Sequence, residues 1–181
     1  MGEAIITRRG GLGSGEVIVE FDSFMPSGFL DGVLIRSTPT ALSVARRDLA
    51  GASVGNYALF AGGRSGSPSY SDAVDAYDTS LTRSTPTALS AARYGLAGAS
   101  VGNYALFAGG YDGSGYYNTV DAYDTSLTRS TPTALSVARN GLEGASVGNY
   151  ALFAGGHVGS GYYNTVDAYS TSLTRSTPTA L

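Results

Sequence analysis

The stretch GASVGNYALFAGG runs from Gly51 to Gly63, and it recurs from Gly98 to Gly110 and from Gly144 to Gly156. Its internal Gly-Asn is a turn signal. It therefore reads as two short strands, GASV and NYALFA, closed by a Gly-Gly pair. Each copy is followed by a variable Gly/Ser/Tyr loop, then by VDAY, then by TSLTRSTPTAL. The arginine of RSTPTAL falls at Arg36, Arg83, Arg129 and Arg175, so the steps are 47, 46 and 46 residues. A fixed period of this size marks a repeat architecture.

No run reaches the ~10 residues that a helix needs before a glycine, proline or β-branched cluster interrupts it. Each unit instead holds four strand-like runs, each ended by Gly, Asn, Asp, Ser or Pro. Four short antiparallel strands per ~45 residues is the layout of a propeller blade. The expected fold is thus an all-β propeller of four-stranded antiparallel blades. Side-chain size agrees. Gly51, Ala52, Ser53 and Val54 are small, as suits a crowded strand lining the axis of a wedge. Tyr57, Leu59 and Phe60 are bulky and apolar at both parities, as expected when neighbours cover both faces of a sheet.

The Gly-Gly pair ending the second strand, the Val-Asp-Ala-Tyr after it, and an arginine starting each unit (Arg46, Arg93, Arg139) resemble the kelch repeat. The likeness runs from about Arg36 to Leu181. It is greatest to the near-identical kelch-like arrays of bacterial and phage-encoded proteins. The kelch pattern expects a Trp after the Tyr, and Ser84, Ser130 and Ser176 stand there instead. Inter-blade packing must then come from elsewhere, the stems of Arg83, Arg129 and Arg175 being one candidate.

Three blades are expected, at about 46–89, 93–135 and 139–181. Residues 1–35 differ. AIITRRGG (Ala4 to Gly11) reads as a second strand with its Gly-Gly, and EVIVEFDS (Glu16 to Ser23) alternates like VDAYDTS. This strand-rich segment is either a degenerate, partial N-terminal blade lacking its first strand or an attachment arm.

Composition excludes several functions. Charged residues make up 14% of the 181, and the net charge is −3. That is no electrostatic footprint for nucleic acid. There is no cysteine, so thiol chemistry is impossible. The start, MGEAIITRRGG, lacks the apolar core of a signal peptide. No apolar run approaches the ~18 residues of a membrane span. A cytoplasmic or virion-associated location is expected.

Comparing the internal copies locates a candidate site. The second and third units differ at six positions of 46: Ala91/Val137, Tyr94/Asn140, Ala97/Glu143, Tyr111/His157, Asp112/Val158 and Asp124/Ser170. The first unit adds Arg47, Asp48 and Arg64 to Tyr70. In a four-stranded meander the 2–3 loop and the connection between blades emerge on one face. That face carries Arg47, Asp48, Arg64, Tyr94, Tyr111, Asp112, Asn140 and His157. It also carries the tyrosines Tyr116, Tyr117, Tyr162 and Tyr163. Tyr, Ser, Gly and Asn make adaptable contact surfaces, and loops on a rigid scaffold carry binding. The competing reading is drift where solvent tolerates it.

Enzymatic motifs are lacking. The copper oxidase with kelch blades needs a cysteine-linked tyrosine and histidines. The single histidine, His157, has no counterpart in the other units and reads as a solvated loop residue. Asp75, Asp121 and Asp167 recur once per blade, which reads as structural rather than as a catalytic pair. No cofactor or metal is expected. Two functions remain: a binding module for a protein or glycan, and a structural assembly subunit such as a virion component. Three blades fall short of the ~4 to 8 that propellers contain. The open ends, with Tyr57, Phe60, Phe153 and Tyr169 or their neighbours exposed, would favour a homodimer sharing one propeller. The alternative is a monomer closed by residues 1–35.

Overall fold

The computed structural model describes residues 38–66 and 69–178; the expectations about residues 1–35 fall outside them. The described residues form antiparallel sheets and no helix. The first sheet contains β1 (Ala50–Val54), β2 (Tyr57–Ala61), β3 (Val74–Tyr77) and β4 (Arg83–Ser84), in that order. The second contains β5 (Ala97–Val101), β6 (Tyr104–Ala108), β7 (Val120–Asp124) and β8 (Arg129–Ser130), likewise in sequence order. The third joins β9 (Glu143–Val147), β10 (Tyr150–Ala154), β13 (Val166–Ser170) and β14 (Arg175–Ser176). Between β10 and β13 lies a small ribbon of β11 (His157–Val158) and β12 (Gly161–Tyr162). The Gly-Asn turn holds each first hairpin in one register, with Val54 opposite Tyr57, Val101 opposite Tyr104 and Val147 opposite Tyr150. This repeated all-β architecture is consistent with a propeller-like fold.

Small residues decide how the sheets meet. The first strand of each sheet lies beside that of the next, β1 against β5 and β5 against β9. A Cβ on Gly98 would stand 2.2 Å from the Gly51 carbonyl oxygen, and one on Gly144 would stand 2.2 Å from that of Gly98. Backbone packs on backbone there, which only glycine allows. Serines stitch the same line. The Ser53 amide donates to Ser100 Oγ at 3.0 Å, and the Ser100 amide donates to Ser146 Oγ at 2.9 Å.

Each sheet shows one kind of face backward and another forward. Val54, Leu59 and Ala61 of the first sheet pack against Ala105, Phe107 and Tyr123 of the second. Val101, Leu106 and Ala108 of the second pack against Ala151, Phe153 and Tyr169 of the third. Each buried Phe meets its Tyr edge to face: Phe107 with Tyr123 and Phe153 with Tyr169, at centroid distances of 6.0 and 5.9 Å. These rings provide the packing that the absent Trp leaves open. The guanidinium groups of Arg83, Arg129 and Arg175 turn to Asp75, Asp121 and Asp167 of their own sheets. The expected list of exposed end residues is corrected. Phe153 and Tyr169 are fully buried, because they face backward onto the second sheet. The exposed residues are Phe60 and Leu81 at one end and Val147 and Tyr150 at the other.

A buried arginine closes each unit. Arg93 Nε donates to the Gly109 carbonyl at 2.8 Å, and Nη2 donates to Asp121 Oδ2 at 2.8 Å and to the Phe107 carbonyl at 3.3 Å. Arg46 makes the same set with Gly62, Phe60 and Asp75. Arg139 pairs with Asp167 at 2.9 Å and donates to the Phe153 carbonyl. The serine ending each preceding linker (Ser43, Ser90, Ser136) donates to the same carboxylate. The main chain of these arginines holds the preceding sheet: the amides of Gly63 and Gly110 donate to the carbonyls of Arg93 and Arg139 at 2.9 Å. A Cβ on Gly109 would fall 2.6 Å from that Arg139 oxygen, at a φ of 70°.

Gly109→Ala is therefore expected to cost more than ~2 kcal/mol, from strain at positive φ and the backbone clash. Gly115→Ala, where a Cβ would meet nothing within 4 Å, is expected to stay within ~0.5 kcal/mol of the parent. Urea denaturation of the two variants checks this, and equal losses would contradict it.

Burial pushes the Asp75 and Asp167 carboxyls up, but hydrogen bonds from arginine and serine outweigh it and hold both below the ordinary value. A carboxylate depressed in the folded state contributes stability that is complete above its unfolded pKa and is lost as pH falls through the folded one. Stability set by these groups should stay level from neutral pH down to about 5. It should then fall steadily below about 4, the unfolded value of aspartate. Thermal melts across that range check the direction, and stability that rises on acidification would contradict it.

Candidate functional site

Two backbone segments make the candidate face, and short bridges join them in every unit. The connection into each first strand pairs with the loop after Gly-Gly through Arg47–Arg64, Tyr94–Tyr111 and Asn140–His157. The variable positions of the three units thus meet in pairs.

From these bridges a continuous run of side chains crosses from the first unit to the third. Arg64 Nε donates to Asp48 Oδ2 at 2.7 Å, and its guanidinium lies 4.0 Å from the centre of the Tyr94 ring. Tyr94 stacks on Tyr70 at 5.6 Å and 12°, and meets Tyr111 edge to face at 5.9 Å. Tyr111 lies against Tyr116 at 4.7 Å. The Tyr116 hydroxyl accepts the Gly159 amide of the third unit at 2.7 Å. Burial first, then the neighbouring tyrosines, pushes the Tyr111 phenol up.

Asp112 organises the middle loop rather than facing outward. Its Oδ1 accepts from the Ser114 hydroxyl and from the Ser114 and Gly115 amides, each at 2.8 Å, an Asx turn. Tyr117 donates to Oδ2 at 2.8 Å. The Ser114 hydroxyl, the two amides and Tyr117 hold the Asp112 carboxyl well below the usual range. That hydrogen bond raises the Tyr117 phenol in turn.

The third unit forms a second group. Asn140 is buried, and its Oδ1 has no hydrogen-bond partner among the described residues. His157 is half-buried, paired through its backbone with Asn140 and set 6.2 Å from the Tyr162 ring. It is partly packed and keeps some exposure to solvent. Tyr163 is half-buried and donates its amide to the Gly156 carbonyl. Tyr162 is 86% exposed. Arg47 is exposed and joins the run through its backbone.

Below the run lies an open groove of about 570 Å³, where the connections meet the starts of β1, β5 and β9. Asp48, Arg64, Tyr94, Asn140 and Glu143 line it. It offers both signs of charge, an aromatic side chain and an amide, which suits recognition of a polar surface. Sequence reasoning missed one member of the run, Tyr70, and one of the groove, Glu143. Tyr70 occupies the same repeat position as Tyr116 and Tyr162, 13 residues before the arginine of RSTPTAL, and that shared spacing was the available signal. Glu143 was visible as a difference between units.

No protein-family model matches the chain, and no curated protein matches it. Among solved structures it is similar to one titled "Structure of YjhT", with a TM-score of 0.66 at 15% sequence identity. The likeness covers 77% of this chain and 47% of that one, so this chain spans about half the length of its structural neighbour. At that identity the likeness speaks to the fold alone.

The tyrosines of the run are only half-buried, so Tyr94→Ala, which loses two aromatic pairs, is expected to cost about 1–2 kcal/mol. Phe107→Ala, in the closed core between sheets, is expected to cost about 3–5 kcal/mol. Denaturant midpoints compare them, and a Tyr94→Ala loss as large as that of Phe107→Ala would make the run a core rather than a surface.

Proposed function

We propose that the chain is a propeller module of kelch-like blades that recognises a protein or glycan through its loop face and catalyses no reaction. One observation carries this reading. The units are nearly identical, yet most of their differences fall on or beside one packed run, Arg64–Tyr94–Tyr111, which ends on the shared tyrosine Tyr116 above a groove of mixed charge. A fixed frame with a changing surface is how binding scaffolds are built. Tyrosine supplies contact area at low entropic cost. The recurrent carboxylates support the same reading, since each is committed to arginine and serine partners.

A second reading, a structural assembly subunit without a dedicated ligand, is favoured by the exposed Phe60, Leu81, Val147 and Tyr150 at the ends of the stack.

A glycan array and a panel of purified surface proteins separate the two. The binding reading expects a saturable ligand whose affinity falls at least ~10-fold in Tyr94→Ala and in Asp48→Ala, a loss of ~1.4 kcal/mol. Binding unaffected by both variants, or no saturable ligand at all, would favour the assembly reading.

A further inference from the structure

The two outer faces of the stack are halves of an interface that the molecule already contains twice. Val147 on the forward face of the third sheet is 60% exposed, while its repeat equivalents Val54 and Val101 are 3% and 2% exposed under the next sheet. At the other end Phe60 is 37% exposed, while its equivalents Phe107 and Phe153 are fully buried. Leu81, Leu127 and Leu173 share a left-handed turn conformation, with φ of 60°, 61° and 60°. Leu127 and Leu173 pack into the core of the preceding sheet, whereas Leu81 is exposed. An open apolar groove of about 730 Å³ lies beside Phe60, Tyr77 and Leu81.

The loop face shows the same asymmetry. Tyr70 stacks on Tyr94 of the next unit, and Tyr116 accepts the Gly159 amide of the next unit. Tyr162 occupies the equivalent position and points its exposed ring into solvent. Gly51 completes the set. The nearest atoms to a Cβ there would be the Phe60 ring and the Leu59 carbonyl of the same sheet, at 3.6–3.8 Å, where Gly98 and Gly144 would each strike a neighbouring backbone oxygen at 2.2 Å.

We propose that the occupant of both faces is a second copy of this chain. The third sheet of each copy receives the first sheet of the other, in the register that already joins the first sheet to the second. Val147, Tyr150 and Leu152 match Val54, Tyr57 and Leu59 residue for residue, so the forward face is chemically the one that Phe107 and Tyr123 already cover. Phe60 and Tyr77 match the residues that cover it. Tyr162 then faces Arg47 of the second copy, the repeat equivalent of Tyr94, in cation–π contact. A head-to-tail contact made reciprocally closes a ring, here of six sheets from two chains. Apolar patches left open at both ends drive the association. It does not depend on the loop face binding anything.

Analytical ultracentrifugation of the full chain at micromolar concentration tests this. The expected mass is twice the 18.4 kDa of the chain. Gly51→Ala has room in its own chain, but in the pair its methyl group would fall on the Gly144 carbonyl of the second copy. Val147→Asp places a charge on an exposed position. Both variants should keep the parent far-UV circular dichroism and sediment as monomers. A monomeric parent, an open polymer, or a dimer that persists in both variants would overturn the proposal.

Discussion

The buried arginine at the start of each unit is the interaction on which the other contacts depend. Arg93 binds two sheets at once. Its main-chain carbonyl accepts from Gly63 of the first sheet, and its side chain takes the carbonyls of Phe107 and Gly109 and the Asp121 carboxylate of the second. An arginine with no exposed side-chain surface is tolerable only when its N–H groups meet acceptors, because an unpaired buried charge is strongly unfavourable. The Gly-Gly pair is the consequence. Strand β6 must end with two free carbonyls for the guanidinium and with no side chain where the next arginine's backbone passes. The Asp at the second position of VDAY follows for the same reason, as does the serine that donates to it.

This arrangement separates what must stay constant from what is free to change. The hook, the glycine line of β1, β5 and β9, and the Phe–Tyr pairs repeat with little variation between units. The loop after Gly-Gly begins just beyond the hook and ends before β3, and the loop residue that reaches the hook, Tyr117, with its ring 5.9 Å from the Arg93 guanidinium, is shared by the second and third units as Tyr117 and Tyr163. Tyr94 and Tyr111 in one unit and Asn140 and His157 in another therefore occupy the same backbone bridge without disturbing the sheet register. Local hydrogen bonding within the loop, as at Asp112, fixes the shape of the surface independently of the core.

Much of the fold was legible because the chain carries its own comparison. A 46-residue period, glycine punctuation and runs too short for helices identify four-stranded units without any tertiary information. That the 2–3 loop and the connection between units share one face was also expected from meander geometry; that their positions pair by backbone bridges was not. Nor was the direction of each face. Tyr57, Leu59 and Phe60 are apolar at both parities, and alternation alone does not say which parity looks forward, so Phe153 and Tyr169 were expected at an open end and are instead buried. Asp121 reads as structural from its repetition, but separations of 28 and 8 residues from Arg93 and Arg129 give no signal of which partners it takes. Tyr70 went unassigned because the first unit's loop departs most from the others, which hid its shared spacing.

A double-mutant cycle on Arg93 and Asp121 tests the hook most directly, with stability measured by urea denaturation of Arg93→Leu, Asp121→Leu and the double variant. Asp121→Leu leaves the buried Arg93 charge without its carboxylate and is expected to cost about 3–5 kcal/mol; Arg93→Leu, which leaves Asp121 its second arginine, Arg129, is expected to cost less but more than ~1 kcal/mol. The double variant should lose at least ~1 kcal/mol less than the sum, since neither charge remains. It should still fall short of the parent, because the carbonyls of Phe107 and Gly109 lose their donor. Strictly additive losses, or a single variant within ~0.5 kcal/mol of the parent, would contradict the role given to the arginine.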